Sequence, residues 1–192
     1  QRIIFNGNGY DESWPVEAER RGLANLRSTA DALPAYVAPK NVDLMVRHGI
    51  YTRHEVEARY EIHLENYRSV IAIEAHTMAD MIRREVLPAV SAYGAELCRR
   101  LEEKKACGMA SVYEQSTAQE VSRLTDGLLG ACRKLEQDTG TIPATASEAV
   151  TYCRNVIVPD MKAARSFADR LEVLTDAKYW PFPVYSDMLF YV

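Results

Sequence analysis

The chain has 192 residues, a net charge of −4 and 47% hydrophobic residues, enough length and apolar content for one folded domain with a real core. Both signs of charge are interspersed. The best basic cluster (Arg99, Arg100, Lys104, Lys105) is interrupted by Glu102 and Glu103, so it reads as a solvated helix face and not as a nucleic-acid stripe. No apolar run reaches the length of a membrane span, no charged-then-apolar leader is visible, and the opening Gln1 in place of Met reads as a point inside a longer protein.

In chain order, Ile3-Ile4-Phe5 is a short β-prone run, followed by the turn signal Asn6-Gly7-Asn8-Gly9. Ser13 is the expected N-cap of a short helix with Pro15 in its first turn and Gly22 at its end. Ser28 to Pro39 reads as a brief helix and an extended connector, broken by Pro34 and Pro39, and Asn41 to Gly49 as another short helix.

From Thr52 the pattern changes. Thr52 and Glu55 form a capping box, and an apolar stripe then runs through Val56, Tyr60, Leu64, Tyr67, Ile71, Ala75, Met78, Ile82, Val86, Val90, Tyr93, Leu97 and Leu101 in steps of three or four. A second helix is expected from Val112 to Asp138 and a third from Ala146 to Thr175, with Gly108 and Gly140 as terminators. A straight helix from Thr52 to Gly108 would be about 84 Å long, several times the radius of gyration of about 16 Å of a compact chain this size. Pro88 removes a donor and crowds the turn before it, so a kink is expected there, and Pro159 repeats the device in the third helix. The fold class is therefore all-α: an elongated bundle of three long helices, the first and third kinked at Pro88 and Pro159, with short N-terminal helices and an irregular aromatic C-terminal tail. Residues 1–51 form a linker strand and short helices, and residues 52–192 a long-helix bundle with its tail as one structural unit.

The four cysteines (Cys98, Cys107, Cys132, Cys153) contain no C-x-x-C pair and fit reduced thiols, hence a cytoplasmic setting; Cys132 and Cys153 flank the turn near Gly140, where a helical hairpin can bring them face to face, but no structural disulfide is expected there. Hairpin geometry folds the second helix onto residues 83–107 and the third onto the second. It leaves Val56 to Ile82 to be covered by the N-terminal helices and the aromatic tail, or by another chain.

The constellations that resemble active sites fail on spacing. Gly7 and Gly9 begin a G-x-G-x-x-G phosphate loop, but Glu12 stands at its third position, and Asp11 and Glu12 repel a pyrophosphate. Glu57, Glu61 and Glu65 form an i, i+4 ladder, yet the Glu-x-x-His motif of a dinuclear bundle site is absent: Glu57 leads to Tyr60, Glu61 to Leu64, Glu65 to Arg68. No two of His48, His54, His63 and His76 have zinc spacing, and Ser91, Ser116 and Ser186 lack a nucleophile-elbow setting. No catalytic, cofactor-binding or metal-binding residue is assigned.

The strings RIIFNGNGY, DALPAYVAPKNV, RYEIHLENY, IEAHTMADM and YWPFPVYSDMLF closely resemble the C-terminal domain of type III glutamine synthetases, with His76 standing where a Leu is expected. The resemblance implies a non-catalytic helical extension, following an upstream catalytic core in the same polypeptide, of an enzyme that ligates ammonia to glutamate with ATP and Mg or Mn and assembles as a ring of identical subunits. Residues 3–5 would then be the exit from that core, and no cofactor is bound by this chain itself. Candidate interface residues are Trp14, Tyr60, Tyr67, Trp180, Phe182, Tyr185 and Phe190. The partners implied are the catalytic core and neighbouring subunits, with no nucleic acid and no membrane. The alternative reading is a free-standing helical adaptor or scaffold protein.

Overall fold

The computed structural model describes residues 3–183 and 185–189, without the side chains of Tyr185 and Ser186. Phe190 lies outside the described residues. Among the described residues the chain is all-helical with no strand. It divides into two compact units, Gln1–Tyr67 and Arg68–Val192, and the division falls inside one helix.

In the first unit, residues 3–5 are irregular and not a strand. A lone run of three has no sheet to join, and the Ile4 carbonyl accepts instead from Arg21 Nη1 at 2.6 Å. The glycine-rich segment is a turn, with the Asp11 N–H donating to the Asn8 carbonyl at 3.2 Å. Helix α1 (Ser13–Arg20) starts at the residue expected to cap it: Glu12 occupies the cap position, one residue earlier, and makes no side-chain bond. The free amide of Ser13 is taken by Asp11 Oδ1 at 2.8 Å, a local Asx turn that serves in place of a serine cap.

Helix α2 (Thr29–Tyr36) is capped by Ser28, whose side chain accepts from the Asp31 N–H, and it runs through Pro34. Helix α3 (Pro39–Arg47) follows, and Asn41 Nδ2 donates to the Ala35 carbonyl to tie the two together at 2.5 Å. Gly49, at φ 64, turns the chain into α4 (Arg53–Met81). The Thr52–Glu55 capping box is present in both directions: the Thr52 N–H donates to Glu55 Oε2 at 2.7 Å, and the Glu55 N–H to Thr52 Oγ1 at 3.2 Å. Arg53 pairs with Asp43 at 3.0 Å and the Tyr36 ring meets His63 edge-on at 5.7 Å, so the short helices lie on the start of α4. Leu33, Val42, Val56 and Leu64 are buried there.

The second unit carries the rest of α4, then a π-helical turn (Ile82–Val86), α5 (Leu87–Ala106), α6 (Val112–Thr139), α7 (Ala146–Tyr152), a second π-helical turn (Cys153–Ile157), α8 (Val158–Leu174) and the short α9 (Tyr185–Leu189). In each π turn an amide reaches five residues back, Leu87 to the Ile82 carbonyl and Val158 to the Cys153 carbonyl. Each is followed, one residue on, by proline, Pro88 after Leu87 and Pro159 after Val158. Proline gives no N–H and its ring crowds the carbonyl four residues earlier, and a wider turn relieves that crowding. The two turns also bury equivalent positions, Ile82 and Val86 in one, Cys153 and Ile157 in the other.

Helix α6 packs against both α5 and α8. Its buried stripe of Val121, Leu124, Leu128, Cys132 and Leu135 faces Val90, Tyr93 and Leu97 of α5 and Ala164 and Leu171 of α8 in one core. Every residue of the stripe expected from Val56 to Leu101 is buried or half-buried. Ion pairs mark the hairpins: Arg83 to Glu136 at 2.5 Å, Lys104 to Glu114 at 2.6 Å, and Arg170 to Glu120 at 2.6 Å. Gly108, at φ 68, ends α5 in the left-handed conformation, whereas Gly140 closes α6 at φ −68, a value open to any residue. All four cysteines are free, with Cys132 and Cys153 fully buried.

Candidate interaction surface

The tail is turned by Asp176, whose carbonyl accepts from the Tyr179 N–H at 2.8 Å and whose side chain accepts from the Lys178 N–H at 3.0 Å. This brings the Tyr179 ring to 5.6 Å from the buried Tyr93. Burial, and then a hydroxyl contact with Tyr113, push the Tyr93 phenol up to about 12. Beyond that anchor, Trp180 and Phe182 meet edge-on at 6.1 Å, both half-buried.

Trp180 and Phe182 close one side of a groove of about 510 Å³. Its floor is apolar, with Ile73, Met78 and Met81 from α4, Ile82 and Val86 from the first π turn, and Met161 and Ala168 from α8. Glu74 and Thr77 stand on the α4 side, and Arg165, Asp169 and Glu172 on the α8 side. Arg165 reaches Asp169 at 3.4 Å, while Glu74 and Glu172 have no ion pair among the described residues.

Of the expected interface residues, the structure brings Trp180 and Phe182 together. Tyr60 and Tyr67 are half-buried on α4 in the first unit. Trp14 is half-buried and packed on Phe5 at 4.4 Å, with the Arg21 guanidinium 5.8 Å from both rings. Glu17, bonded by Arg20 and Arg21, is held down to about 2 beside that cluster. Tyr185 begins α9, and Phe190 is outside the described residues. Ile73, Met81 and Met161 were not among the expected residues. Ile73 and Met81 lie off the predicted stripe of α4, and their exposure at 64% and 38% beside an apolar groove is the signal that finds them.

No group of three or more His, Cys, Asp or Glu side chains among the described residues is arranged to hold a metal ion, and Glu57, Glu61 and Glu65 are all exposed. No helix of the described residues is long and apolar enough to cross a membrane.

The family described as the glutamine synthetase C-terminal domain matches residues 1–105. The chain belongs to that family. Over 99% of its length it is 36% identical to a protein named glutamine synthetase from Butyrivibrio fibrisolvens, and over 98% it is 33% identical to the type-3 glutamine synthetase of Dictyostelium discoideum. A glutamine synthetase of Bacteroides fragilis (strain YCH46) is 27% identical over 98% of the chain. The chain spans only 28%, 27% and 27% of those three proteins. The glutamine synthetase C-terminal domain family thus accounts for the aromatic-rich opening and for most of α5, while the relatives extend the likeness through α6, α8 and the tail.

Proposed function

We propose that this chain is the non-catalytic C-terminal part of a type III glutamine synthetase, with an architectural role in subunit assembly. The observation that carries the reading is the end-to-end match to a little over a quarter of each relative. The parent enzyme ligates ammonia to glutamate with ATP and Mg or Mn in the cytoplasm, and its catalytic core belongs to the same polypeptide, upstream. The acidic groups of the described residues do not fit ATP–metal binding. The carboxylates with the strongest partners (Glu17, Glu96, Glu120, Glu136) are already bonded to arginines of their own helices or neighbours, and the Glu57 ladder stands in solvent with no convergent third ligand. The family match favours this reading over a free-standing adaptor.

Residues 1–51 then lead from the core, and the frame beyond Thr52 is three long helices, the first and third bent at Pro88 and Pro159, ending in an irregular aromatic tail. Trp14, Tyr60 and Tyr67 on one unit, and Trp180, Phe182, Tyr185 and Phe190 on the other, meet the core or neighbouring subunits of a ring. The half-buried rings of Trp14, Tyr60, Tyr67, Trp180 and Phe182 support this, because they offer large apolar area at small entropic cost.

The test is alanine substitution of Tyr60, Tyr67, Trp180 and Phe182 in the full-length enzyme, with native mass and glutamine synthesis measured together. Smaller assemblies with activity falling in step are expected. Unchanged ring mass and activity, with helix content preserved, would remove the assembly role.

A further inference from the structure

The groove beside Trp180 has the dimensions of a helix seat. Its α8 wall runs from Met161 to Glu172 and its α4 wall continues from Ile73 to Val86. At 1.5 Å per residue the α8 wall is about 16 Å long, or about three helical turns. Three of the six methionines of the chain line it. Methionine is unbranched and adapts to the apolar face laid on it. Ile73 and Met81 present apolar surface to water at 64% and 38% exposure, in a helix whose other face is already buried.

Charge selects the occupant. Glu74 stands on one wall and Glu172 on the other, neither paired among the described residues, while Arg165 is engaged by Asp169. The rim is acidic over an apolar floor. Anionic lipid is disfavoured by that rim. The tail helix of a second copy is disfavoured too, since Ser186–Leu189 carries Asp187 and no base.

We propose that this groove binds a basic amphipathic helix of a partner protein, about three turns long. Its apolar face rests on Met78, Met81 and Met161, and its Lys or Arg side chains flank it toward Glu74 and Glu172. The proposal rests on the interface reading in sharing Trp180 and Phe182, and adds the chemistry of what they help to bind.

The experiment titrates a synthetic amphipathic peptide of about fourteen residues into the 192-residue chain, by calorimetry and Trp emission. Its apolar residues are spaced i, i+3, i+4, i+7 and its flanks are Lys; a matched peptide has Glu flanks. Saturable one-to-one binding of the Lys peptide is expected, about tenfold tighter than the Glu peptide. Joint Glu74→Lys and Glu172→Lys substitution should reverse that order. Ile73→Ser, at an exposed position that leaves helix content unchanged, should weaken the Lys peptide about tenfold. Equal binding of both peptides, no binding, or indifference to Ile73→Ser overturns the proposal. So does self-association of the chain that Ile73→Ser abolishes, because the occupant is then a second copy. Binding in the isolated chain together with intact rings in the alanine variants would keep the groove and remove the assembly role.

Discussion

The Sγ of Cys132, fully buried in α6, lies 3.8 Å from the carbonyl oxygen of Ala79, in the last turn of α4 before its π-helical turn. The thiol gives a weak donor to that carbonyl while filling the core as a small apolar group. Burial pushes the Cys132 thiol up, and the Cys153 thiol with it, so neither supplies thiolate at neutral pH. Cys98 and Cys107 are exposed. In the folded chain two thiols should therefore react promptly with a maleimide, and the other two only when the second unit opens. Cys132→Ser keeps a donor for Ala79 but shrinks the core and buries a hydroxyl, and should lower stability by about 1–2 kcal/mol. Peptide mapping after timed alkylation, with urea melts, checks both statements.

Two glycines of α6 should answer oppositely to alanine. A Cβ on Gly127 would sit 2.4 Å from the Phe167 ring of α8, closer than atoms can approach, whereas a Cβ on Gly130 meets nothing within 4 Å. Gly130→Ala removes backbone entropy from the unfolded chain at an exposed position of α6 and should stabilise by about 0.5–1 kcal/mol. Gly127→Ala has the same helix gain but must displace an aromatic ring from a packed crossing, so a net loss of about 1–2 kcal/mol is expected. Urea denaturation of the two variants side by side gives the comparison. Equal gains would mean that α6 and α8 are less closely packed at this point.

The helices were legible because their signals are local and repeated. Thr52 and Glu55 announce the start of α4, and the three- and four-residue steps from Val56 to Leu101 give one face, every residue of which the structure buries or half-buries. Single-residue signals were less reliable. Ser13 resembles a cap, yet Glu12 holds the cap position and Asp11 supplies the bond, because a carboxylate two residues upstream can take an amide at the helix start as well as a serine can. Ile3 to Phe5 has strand propensity but no partner strand, and propensity alone does not make a sheet. The groove was only half legible. Trp180 and Phe182 stand out by composition, but Met161, Ile73 and Met81 join them only in the folded chain, a tertiary event that no helical period encodes.

Pro88 stands just past the first π turn, is exposed, and has a helical backbone on both sides. In this setting the ring is already accommodated, and its missing N–H falls where the widened ladder has moved its bonds. Pro88→Ala should then cost less than about 1 kcal/mol, from the greater freedom alanine gives the unfolded chain. If the proline instead strained the helix, alanine would stabilise by as much as about 3 kcal/mol, the propensity difference in a helix interior. Denaturant midpoints with unchanged slope separate the two, and Pro159→Ala should behave in the same way at the second turn.

Lys134 bridges two carboxylates, Asp138 on its own helix at 2.6 Å and Asp160 of α8 at 2.7 and 2.9 Å. The Lys134 bond holds the Asp138 carboxyl below its usual range, whereas burial raises Asp160 despite the same ammonium. Bonds to Asp138 and then Asp160 raise the Lys134 ammonium above the usual lysine value. By linkage, Asp138 stabilises the fold above the ordinary aspartate pKa, and that contribution fades as pH falls through its lowered value. Asp160 has the opposite sign: its ionisation opposes folding, so stability declines as pH rises through its raised value. Lys134 supports the fold until pH climbs past the ordinary lysine range. At neutral pH Asp160→Asn should therefore be as stable as the parent or slightly more so, with Asp138→Asn less stable and converging on the parent in acid. Lys134→Met leaves two facing carboxylates, and its loss should be largest at neutral pH and shrink as they take up a shared proton. Urea melts from about pH 3 to 9 give the profiles. A strong loss at neutral pH in Asp160→Asn would show instead that the ionised pair with Lys134 outweighs its burial, and would reverse the sign assigned to this contact between α6 and α8.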